Sequence, residues 1–414
     1  MRKSLLWTAF NNWERAYRFL WTQPLRWDPS SSRLVYTDRP DKLVTFGVLV
    51  AMEGFFVLLP CLGVLAICKS PNSKSCNLPT KDVVMMGVVV FIVIMGILGD
   101  VAILTHGRYI AAGCNQLFAM ESASPVPSMY SELGKLQACA ARKVDMVEVG
   151  LNLAVILVAI YPYFFITFSI FANVDPMYNC ATQFFPGSTK PAPLTIPTLI
   201  NKIIFFSIRL AIQLPTAIQD SRVYGLGCCV LLISGKEILR GIYKLGTNNV
   251  LGVICDTRYG RSRRIFLYYA RIHLVTQMLH DVLSNTICVV LGSGFVISVA
   301  ATFSTIRLHH VIPMPFFLLC PATSGLLGLI LVLLFEMTIA PHNAAKELMK
   351  KWKLAILRSH EKKYLETKLT SIRVILWTVR IGNLRIFNLK NSTRTLYYTT
   401  IADTTINALV SSSK

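Results

Sequence analysis

Polar side chains recur at helical spacing in the last stretch of the chain, residues 395–410. Thr400, Thr404 and Asn407 are separated by four and three residues, so a helix would place them on one face, with Asp403 beside it. Such a helix is costly in lipid when alone, and it becomes acceptable where its polar stripe faces water. Identical helices around a pore would supply that water, and the carboxylate would favour cations. The alternative interpretation is an interfacial tail.

Two ionisable residues stand inside otherwise apolar stretches. Glu53 lies in the first stretch and Arg209 in the fourth, at depths where the two side chains could meet. A charge at such depth is expensive unless it faces protein or water. We therefore expect either a buried ion pair between Glu53 and Arg209 or a contact with a ligand. Asp100, near the inner end of the second stretch, is expected to be solvated at the interface.

A dense apolar and aromatic set occupies the outer halves of four stretches. A concave, mainly aromatic cavity with few polar groups suits a small organic ligand. Interfacial aromatic belts and ordinary packing are the alternative explanation. The predicted pocket residues are Phe91, Met95, Tyr161, Phe164, Phe165, Phe168, Phe205, Phe206, Arg209, Phe316 and Phe317.

The sequence offers little for catalysis. His309 and His310 are adjacent in a short loop without a clustered carboxylate, and no GxSxG, HExxH or Walker-type loop occurs. The eleven cysteines include no CxxC pair. We therefore expect no enzymatic activity, no metal site and no cofactor.

Three cysteines fall at or in loops on the predicted outer side of the membrane. Cys68, Cys76 and Cys180 could form one bridge there, and a Cys76–Cys180 disulfide would tie the first outer loop to the second. The alternative is that all three are free thiols in apolar surroundings.

The elements that position these residues are membrane helices. The chain has 414 residues, is 53% hydrophobic and has a mean hydropathy of +0.52, which is too apolar for one soluble core. Several windows of ~20 residues carry almost no charge, the length that crosses ~30 Å of hydrocarbon. We predict an all-α polytopic protein with seven transmembrane helices. The first six span about 43–68, 83–105, 149–172, 203–239, 281–303 and 315–340, and the last lies within 395–414.

Two segments are less regular than the rest. The fourth stretch contains Asp220 and Arg222, so it is either two short spans or one long helix that extends beyond the bilayer, and we favour the long helix. Residues 341–394 carry charged and apolar side chains at helical spacing and are predicted to form a soluble helical anchor. Residues 1–42 begin with an amphipathic helix that we expect to lie at the membrane interface.

The distribution of positive charge gives the chain an orientation. With the amino end inside, the inner segments hold 33 of the 42 lysines and arginines and the outer segments hold seven. Cytoplasmic loops retain positive charge, so the amino terminus is predicted to be cytoplasmic and the carboxyl terminus extracellular. The net charge of +21 clusters beside spans, where anionic lipids attract it, so membrane lipids rather than nucleic acid are the expected partners.

These features together resemble the insect odorant and gustatory receptor family. The likeness covers the whole chain: seven spans, an internal amino end, a long fourth helix and a basic helical stretch before a short last helix. The family's motif in that helix, Thr-Tyr followed by five hydrophobic residues and Gln-Phe, is echoed by Tyr397, with Leu396, Asp403 and Thr404 at its Thr, Gln and Phe positions. These departures from the motif point to a divergent, gustatory-receptor-like member, and the segment 24–28 also resembles divergent members.

The resemblance implies a chemoreceptor that is a ligand-gated, non-selective cation channel in the plasma membrane. Four identical or different subunits would assemble through the cytoplasmic parts of the fourth to seventh helices. The last helix would line the pore with Thr400, Asp403, Thr404 and Asn407. The ligand would sit in an outer pocket between the second to sixth helices.

The resemblance also makes Ile406 and Val410 candidates for an apolar gate that closes by dewetting. Two other functions remain open from the sequence. A receptor coupled to G proteins requires the amino end outside, and a transporter or a non-conducting protein of the same architecture requires no pore.

Overall fold

The computed structural model is almost entirely helical. It describes residues 5–411, apart from 70–79, 123–145, 172, 174, 185–195, 247–258, 308–315, 358–361 and 382–383. Its helices are α1 Leu5–Tyr17, α2 Pro40–Met52, α3 Leu59–Lys69, α4 Thr80–Ser122, α5 Met146–Phe171, α6 Pro176–Phe184, α7 Ile196–Leu245, α8 Tyr259–Arg307, α9 Phe316–Ile356, α10 Lys362–Ser371 and α11 Asn391–Ser411. A π-helix, Glu53–Leu58, joins α2 to α3. Two antiparallel hairpins pair β1 Leu25–Asp28 with β2 Arg33–Tyr36 and β3 Thr378–Ile381 with β4 Leu384–Asn388.

Five membrane-length apolar segments run through the described helices. They are Pro40–Cys68, Val89–Met120, Val149–Phe184, Leu283–Arg307 and Cys320–Ile356. Only 28–39% of each apolar window is buried within the chain, so most of these side chains face outward, as contact with lipid requires. The fold is therefore that of an all-α, polytopic membrane protein. Neither α7 nor α11 belongs to this set, because polar side chains such as Arg209 and Asp403 interrupt their apolar sequences.

Helix α7 lies at the centre of the bundle. It runs without a break through fifty residues, including Pro215, which agrees with one long helix rather than two short spans. It packs against α4, α5, α8 and α9, and against the first apolar rod formed by α2, the π-helix and α3. Because neighbours surround it, α7 can carry polar side chains that a lipid-facing helix could not.

The amino-terminal segment packs against protein rather than lying on lipid, which corrects the sequence-based expectation. Phe10, Trp13 and Tyr17 of α1 are at most 2% exposed, and α1 contacts α5 and α7. The ring of Trp27 in β1 stacks on Phe10 with 4.6 Å between centroids. The amide of Asn115 on α4 bonds both backbone groups of Leu34, so the first hairpin is docked on α4. We call this end of the bundle the α1 end.

The predicted helical anchor is only partly helical. Helix α9 continues past Pro341 to Ile356 and α10 follows, but residues 372–377 are not helical and lead into the second hairpin. This backbone contacts α8 and α9: the hydroxyl of Tyr269 donates to the Arg373 carbonyl at 3.1 Å, and His342 Nδ1 lies 2.9 Å from the Ile375 carbonyl oxygen. Tertiary contacts therefore override the helical pattern of this segment.

A candidate pore helix and a candidate ligand-binding region

The last helix is longer than the sequence indicates. Helix α11 has 21 residues, Asn391–Ser411, and a rise of 1.5 Å per residue makes it ~32 Å long. That length is enough to cross a bilayer core of ~30 Å. The backbone amides of Thr393 and Arg394 already bond to the Lys390 carbonyl, so the helix begins directly after the second hairpin.

One face of α11 contacts α8 through Tyr397. The hydroxyl of Tyr397 donates to the Leu291 carbonyl at 2.8 Å, and its ring meets those of Phe295 and Phe335 edge-on. Gly294 makes room for this contact, because a Cβ at that position would lie 3.1 Å from the Tyr397 hydroxyl. Farther along the helix, Thr405 is buried on the same side.

The opposite face of α11 is exposed along its full length. Leu396, Asp403 and Val410 are all exposed and stand seven residues apart, so they lie within a narrow angular sector of the helix. Asn407 falls in the same sector and Ile406 at its edge, both exposed. Asp403 therefore occupies the middle of the exposed face rather than a position beside it.

The predicted polar stripe is rotated from this face. Thr400 is exposed, but Thr404 is half-buried on the flank that turns toward α8. The spacing of these residues in the sequence could not predict how the helix is rotated about its axis. Only the packing of Tyr397 and Thr405 decides which side of the helix meets α8.

A polar latch fastens the second hairpin to α8 just before α11. The Nε2 atom of His280 lies 2.7 Å from Thr378 Oγ1 and accepts a bond from the Thr378 amide at 3.2 Å. The hydroxyl of Ser284 donates to the Thr378 carbonyl at 2.7 Å, and the His280 ring stacks on Trp377. Burial raises the pKa of Tyr269, on the preceding turns of α8, to about 12, so its hydroxyl stays a donor to the Arg373 carbonyl. The hairpin that precedes α11 is thus bonded to α8.

Some members of the predicted aromatic pocket meet in the structure. The hydroxyl groups of Tyr161 and Thr323 lie 2.8 Å apart and join α5 to α9. The Tyr161 ring stacks on Phe165, and Phe164 stacks on Phe168 one turn away. Phe164 is 56% exposed, so part of this aromatic surface faces outward from the chain.

The remaining pocket residues are more dispersed. Phe205 lies under the Arg209 guanidinium at 5.3 Å, and the Phe206 ring contacts Phe171, which was outside the predicted set. Phe91 and Met95 are half-buried on α4, which packs against α7 and α8. Phe317 is half-buried at the start of α9, and the Phe316 side chain lies outside the described residues. The structure therefore groups the residues of α5 and α7 most closely.

Arg209 is paired with Asp175 and not with Glu53, which corrects the predicted ion pair. Its guanidinium forms a buried salt bridge to Asp175 and also donates to Asn173 Oδ1 at 2.9 Å and the Ile170 carbonyl at 3.1 Å. Gln213, one turn farther along α7, donates to Asp175 at 2.7 Å. The polar atoms of both side chains are thus hydrogen-bonded, and these bonds attach the connection between α5 and α6 to α7.

The sequence analysis did not identify Asp175 as the partner of Arg209, because Asp175 lies in a predicted loop after the third span. It precedes Pro176, the first residue of α6, and its carboxylate accepts the Tyr178 amide at 3.1 Å, as a helix N-cap does. The Asp-Pro pair was a usable signal for that cap. Its second role, as the partner of Arg209, depends on a tertiary contact across 34 residues.

The predicted Cys76–Cys180 disulfide is not formed. Cys180 is a free, buried thiol that lies beside the thiol of Cys61 on α3. Cys76 lies outside the described residues, and Cys68 is the disulfide-bonded cysteine among the described ones. The helix α6, which the sequence did not predict, turns Cys180 inward toward α3.

Glu53 and Asp100 are both buried, Asp100 with no exposed surface, so Asp100 is not solvated as expected. They lie with Asp220 of α7 in one group. Among the described residues, no three His, Cys, Asp or Glu side chains are arranged to hold a metal ion.

Two solved structures are similar to this one over nearly the whole chain. The insect olfactory receptor OR5 from Machilis hrabei in complex with eugenol has a TM-score of 0.64 at 13% identity, covering 98% of this chain and 97% of that receptor. A second structure of OR5 has a TM-score of 0.58 at 9% identity, covering 97% and 96%. No protein-family model and no curated protein matches the chain. The resemblance inferred from sequence is confirmed at the level of the fold, and the chain has the fold of an insect olfactory receptor.

Proposed function

We propose that this chain is a chemosensory receptor of the plasma membrane that acts as a ligand-gated, non-selective cation channel. Seven helices cross the membrane in this proposal: the five apolar ones together with α7 and α11. The α1 end faces the cytoplasm, because the loops there carry most of the positive charge. The carboxyl terminus is extracellular.

The observation that supports the channel most directly is the exposed face of α11. A carboxylate such as Asp403 would be costly against lipid. Copies of α11 around a central axis would turn Asp403 and Asn407 toward water instead. Ile406 and Val410, which are 56% and 59% exposed, would meet their copies near the end of the helix and close the pore by dewetting.

Exposed apolar side chains at the α1 end support assembly of four subunits. They lie outside the five apolar segments or at the inner end of the last one, where lipid does not cover them, and they belong to α7, α8, α9 and the second hairpin. These side chains are Tyr243, Leu267, Leu274, Met278, Leu354, Leu357, Leu384 and Ile386. Apolar surface of this kind marks a protein interface. The subunits are either identical or of two kinds.

The ligand in this proposal is a small organic molecule that enters the aromatic region around Tyr161, Phe165 and Phe205. It opens the pore by binding the open state more tightly than the closed one. Eugenol, which is bound in the complex of the similar receptor OR5, is the first compound to apply. The contact of Tyr161 with Thr323 links this region to α9, and the Phe335 ring of α9 in turn contacts Tyr397 of α11.

Recording of ligand-evoked currents tests the proposal. The chain is expressed alone and with a candidate partner subunit, and currents are measured over a panel of small odorants and tastants that includes eugenol. The substitution Asn407→Leu replaces a pore-facing amide by an apolar side chain, so we expect the evoked current to fall at least tenfold.

A matched control is Asn343→Leu, an exposed position on the α1-end part of α9, which should leave the current unchanged at equal surface expression. Currents of the parent channel that are indifferent to Asn407→Leu would remove α11 from the pore. Substrate uptake without current would favour a transporter, and responses that depend on a G protein would favour the coupled receptor.

A further inference from the structure

Three carboxyl groups from three different helices meet inside the bundle. Glu53 is the first residue of the π-helix, Asp100 belongs to α4, and Asp220 belongs to α7. Glu53 is 1% exposed and Asp100 is fully buried. The carboxyl of Asp220 lies against Gly96, one turn before Asp100, where any Cβ would overlap it. We call these three residues the carboxyl cluster.

No basic group among the described residues neutralises the carboxyl cluster. Arg209 is taken by Asp175, and Arg222 points to the opposite side of α7, where it lies over the rings of Trp13 and Tyr17. Glu14 is the acidic group closest to Arg222 in that environment. The neighbouring titratable group is the Tyr224 hydroxyl on α7, which interacts with both Asp220 and Glu53.

Among the described residues, most oxygens of the cluster have no hydrogen-bond donor. The Gln219 amide donates to Asp100 Oδ1 at 3.0 Å. Both oxygens of Glu53, the second oxygen of Asp100 and one oxygen of Asp220 are buried and receive no bond from a fixed donor. Yet the carboxyl groups of Glu53 and Asp220 lie within hydrogen-bonding reach of each other.

This contact has a simple chemical requirement. An ionised carboxylate only accepts hydrogen bonds, so two of them in contact repel, whereas one proton makes one of them a donor to the other. A metal ion is the other way to hold several carboxylates together, but the described residues do not surround one. Ionising both carboxyl groups in contact, rather than one, would add a cost of several kcal/mol in a low-dielectric interior.

We propose that the carboxyl cluster is a proton-binding site inside the membrane bundle, with the proton shared between Glu53 and Asp220. The bound proton holds the π-helix of the first apolar rod against α7, and the nearby Asp100 carboxylate adds a negative charge that makes the proton harder to release. Loss of the proton places like charges between the first apolar rod, α4 and α7 and pushes these helices apart. The proposal does not depend on whether the protein conducts ions.

Infrared spectroscopy of the purified protein tests this site directly. A protonated carboxyl group has a C=O stretching band separate from that of ionised carboxylates, and exposed acids are ionised at neutral pH. We expect the wild-type protein to show such a band at pH 7 and to lose it as the pH is raised. Glu53→Gln and Asp220→Asn should each remove the band, while Glu347→Gln, at an exposed position on α9, should leave it.

Thermal unfolding supplies a second measurement. Stabilisation by the proton is present at low pH and is lost as the pH rises and the site ionises. The melting temperature of the wild type should therefore fall by several degrees on going from acid to alkaline pH, and that of the double variant Glu53→Gln, Asp220→Asn should fall much less. The proposal would be overturned if the wild type showed no such band or if both single variants retained it. It would also be overturned if Na⁺ or Ca²⁺ abolished the band at fixed pH, because the site would then belong to a metal cation.

Discussion

At the scale of single residues, the buried ion pair between Arg209 and Asp175 could not be predicted from the sequence. Removing one member of a buried ion pair leaves the other uncompensated, at a cost of about 3–5 kcal/mol. We therefore predict that Arg209→Met and Asp175→Leu each strongly reduce the melting temperature of the purified protein and its surface expression. The double variant Arg209→Met, Asp175→Leu should recover much of the loss.

A double-mutant cycle on melting temperature measures that coupling. Arg108 and Asp38 form an ion pair that is 71% and 63% exposed, so the same cycle on this pair is the control and should show a small coupling of about 0–1 kcal/mol. If the effects of Arg209→Met and Asp175→Leu on the melting temperature were simply additive, the assigned ion pair would be wrong.

Asp403 carries the charge of the proposed pore. Replacement by Asn removes the negative group, so we predict a lower permeability of cations relative to anions and a several-fold lower single-channel conductance at low ionic strength, where screening is weak. Reversal potentials across a salt gradient measure the first effect. Asp41→Asn, an exposed acid at the start of α2, is the matched control, and equal behaviour of the two variants would place Asp403 outside the conduction path.

At the scale of elements, the decisive contact is between α11 and α8. Tyr397→Phe keeps the ring packing against Phe335 but removes the hydroxyl that donates to the Leu291 carbonyl, a bond worth about 1 kcal/mol. If this bond is stronger in the closed state, its loss shifts the closed–open equilibrium by roughly fivefold toward opening. We predict a higher resting current and a lower half-activating ligand concentration.

Tyr398→Phe provides the comparison for that variant, because the Tyr398 ring also contacts Phe335 while its hydroxyl has no hydrogen-bond partner among the described residues. In dose–response curves, the half-activating ligand concentration should be lower for Tyr397→Phe than for Tyr398→Phe. Identical curves would mean that the hydroxyl bond of Tyr397 does not take part in gating.

At the scale of the whole molecule, the orientation is the property on which the proposed channel depends. We predict that a tag at the amino terminus and an epitope within 358–361, between α9 and α10, are inaccessible to antibodies on intact cells and accessible after permeabilisation. Asn391-Ser392-Thr393 matches a glycosylation acceptor and should carry no glycan, because α11 begins on the cytoplasmic side. A tag at the carboxyl terminus should be accessible on intact cells.

Subunit assembly belongs to the same scale. Leu267 and Leu274 are exposed on one face of α8, seven residues apart and outside the apolar part of that helix. We predict that the double substitution to Glu converts tetramers into smaller species in mass photometry of the detergent-solubilised protein. Val332→Glu, at an exposed position in the apolar part of α9, should instead reduce membrane insertion, which would distinguish a subunit contact from a lipid contact.

The sequence by itself determined the membrane class of this protein and the approximate place of most long helices. Runs of apolar residues such as 43–68 and 315–340 suffice for that, because the hydrocarbon thickness sets their length and each apolar run must cross it as a helix. The polar stripe of α11 was likewise predictable from spacing, and the uninterrupted course of α7 from the distribution of positive charge.

Only the tertiary structure decided which polar groups meet. Arg209 pairs with Asp175 rather than Glu53, and a non-helical segment before β3 stands where a helix was predicted. Both outcomes depend on contacts between residues far apart in the chain. The rotation of α11, which sets Asp403 at the centre of its exposed face, follows from where Tyr397 reaches α8. Local periodicity fixes the faces of a helix but not the neighbour that covers each face, because burial is a property of the whole bundle.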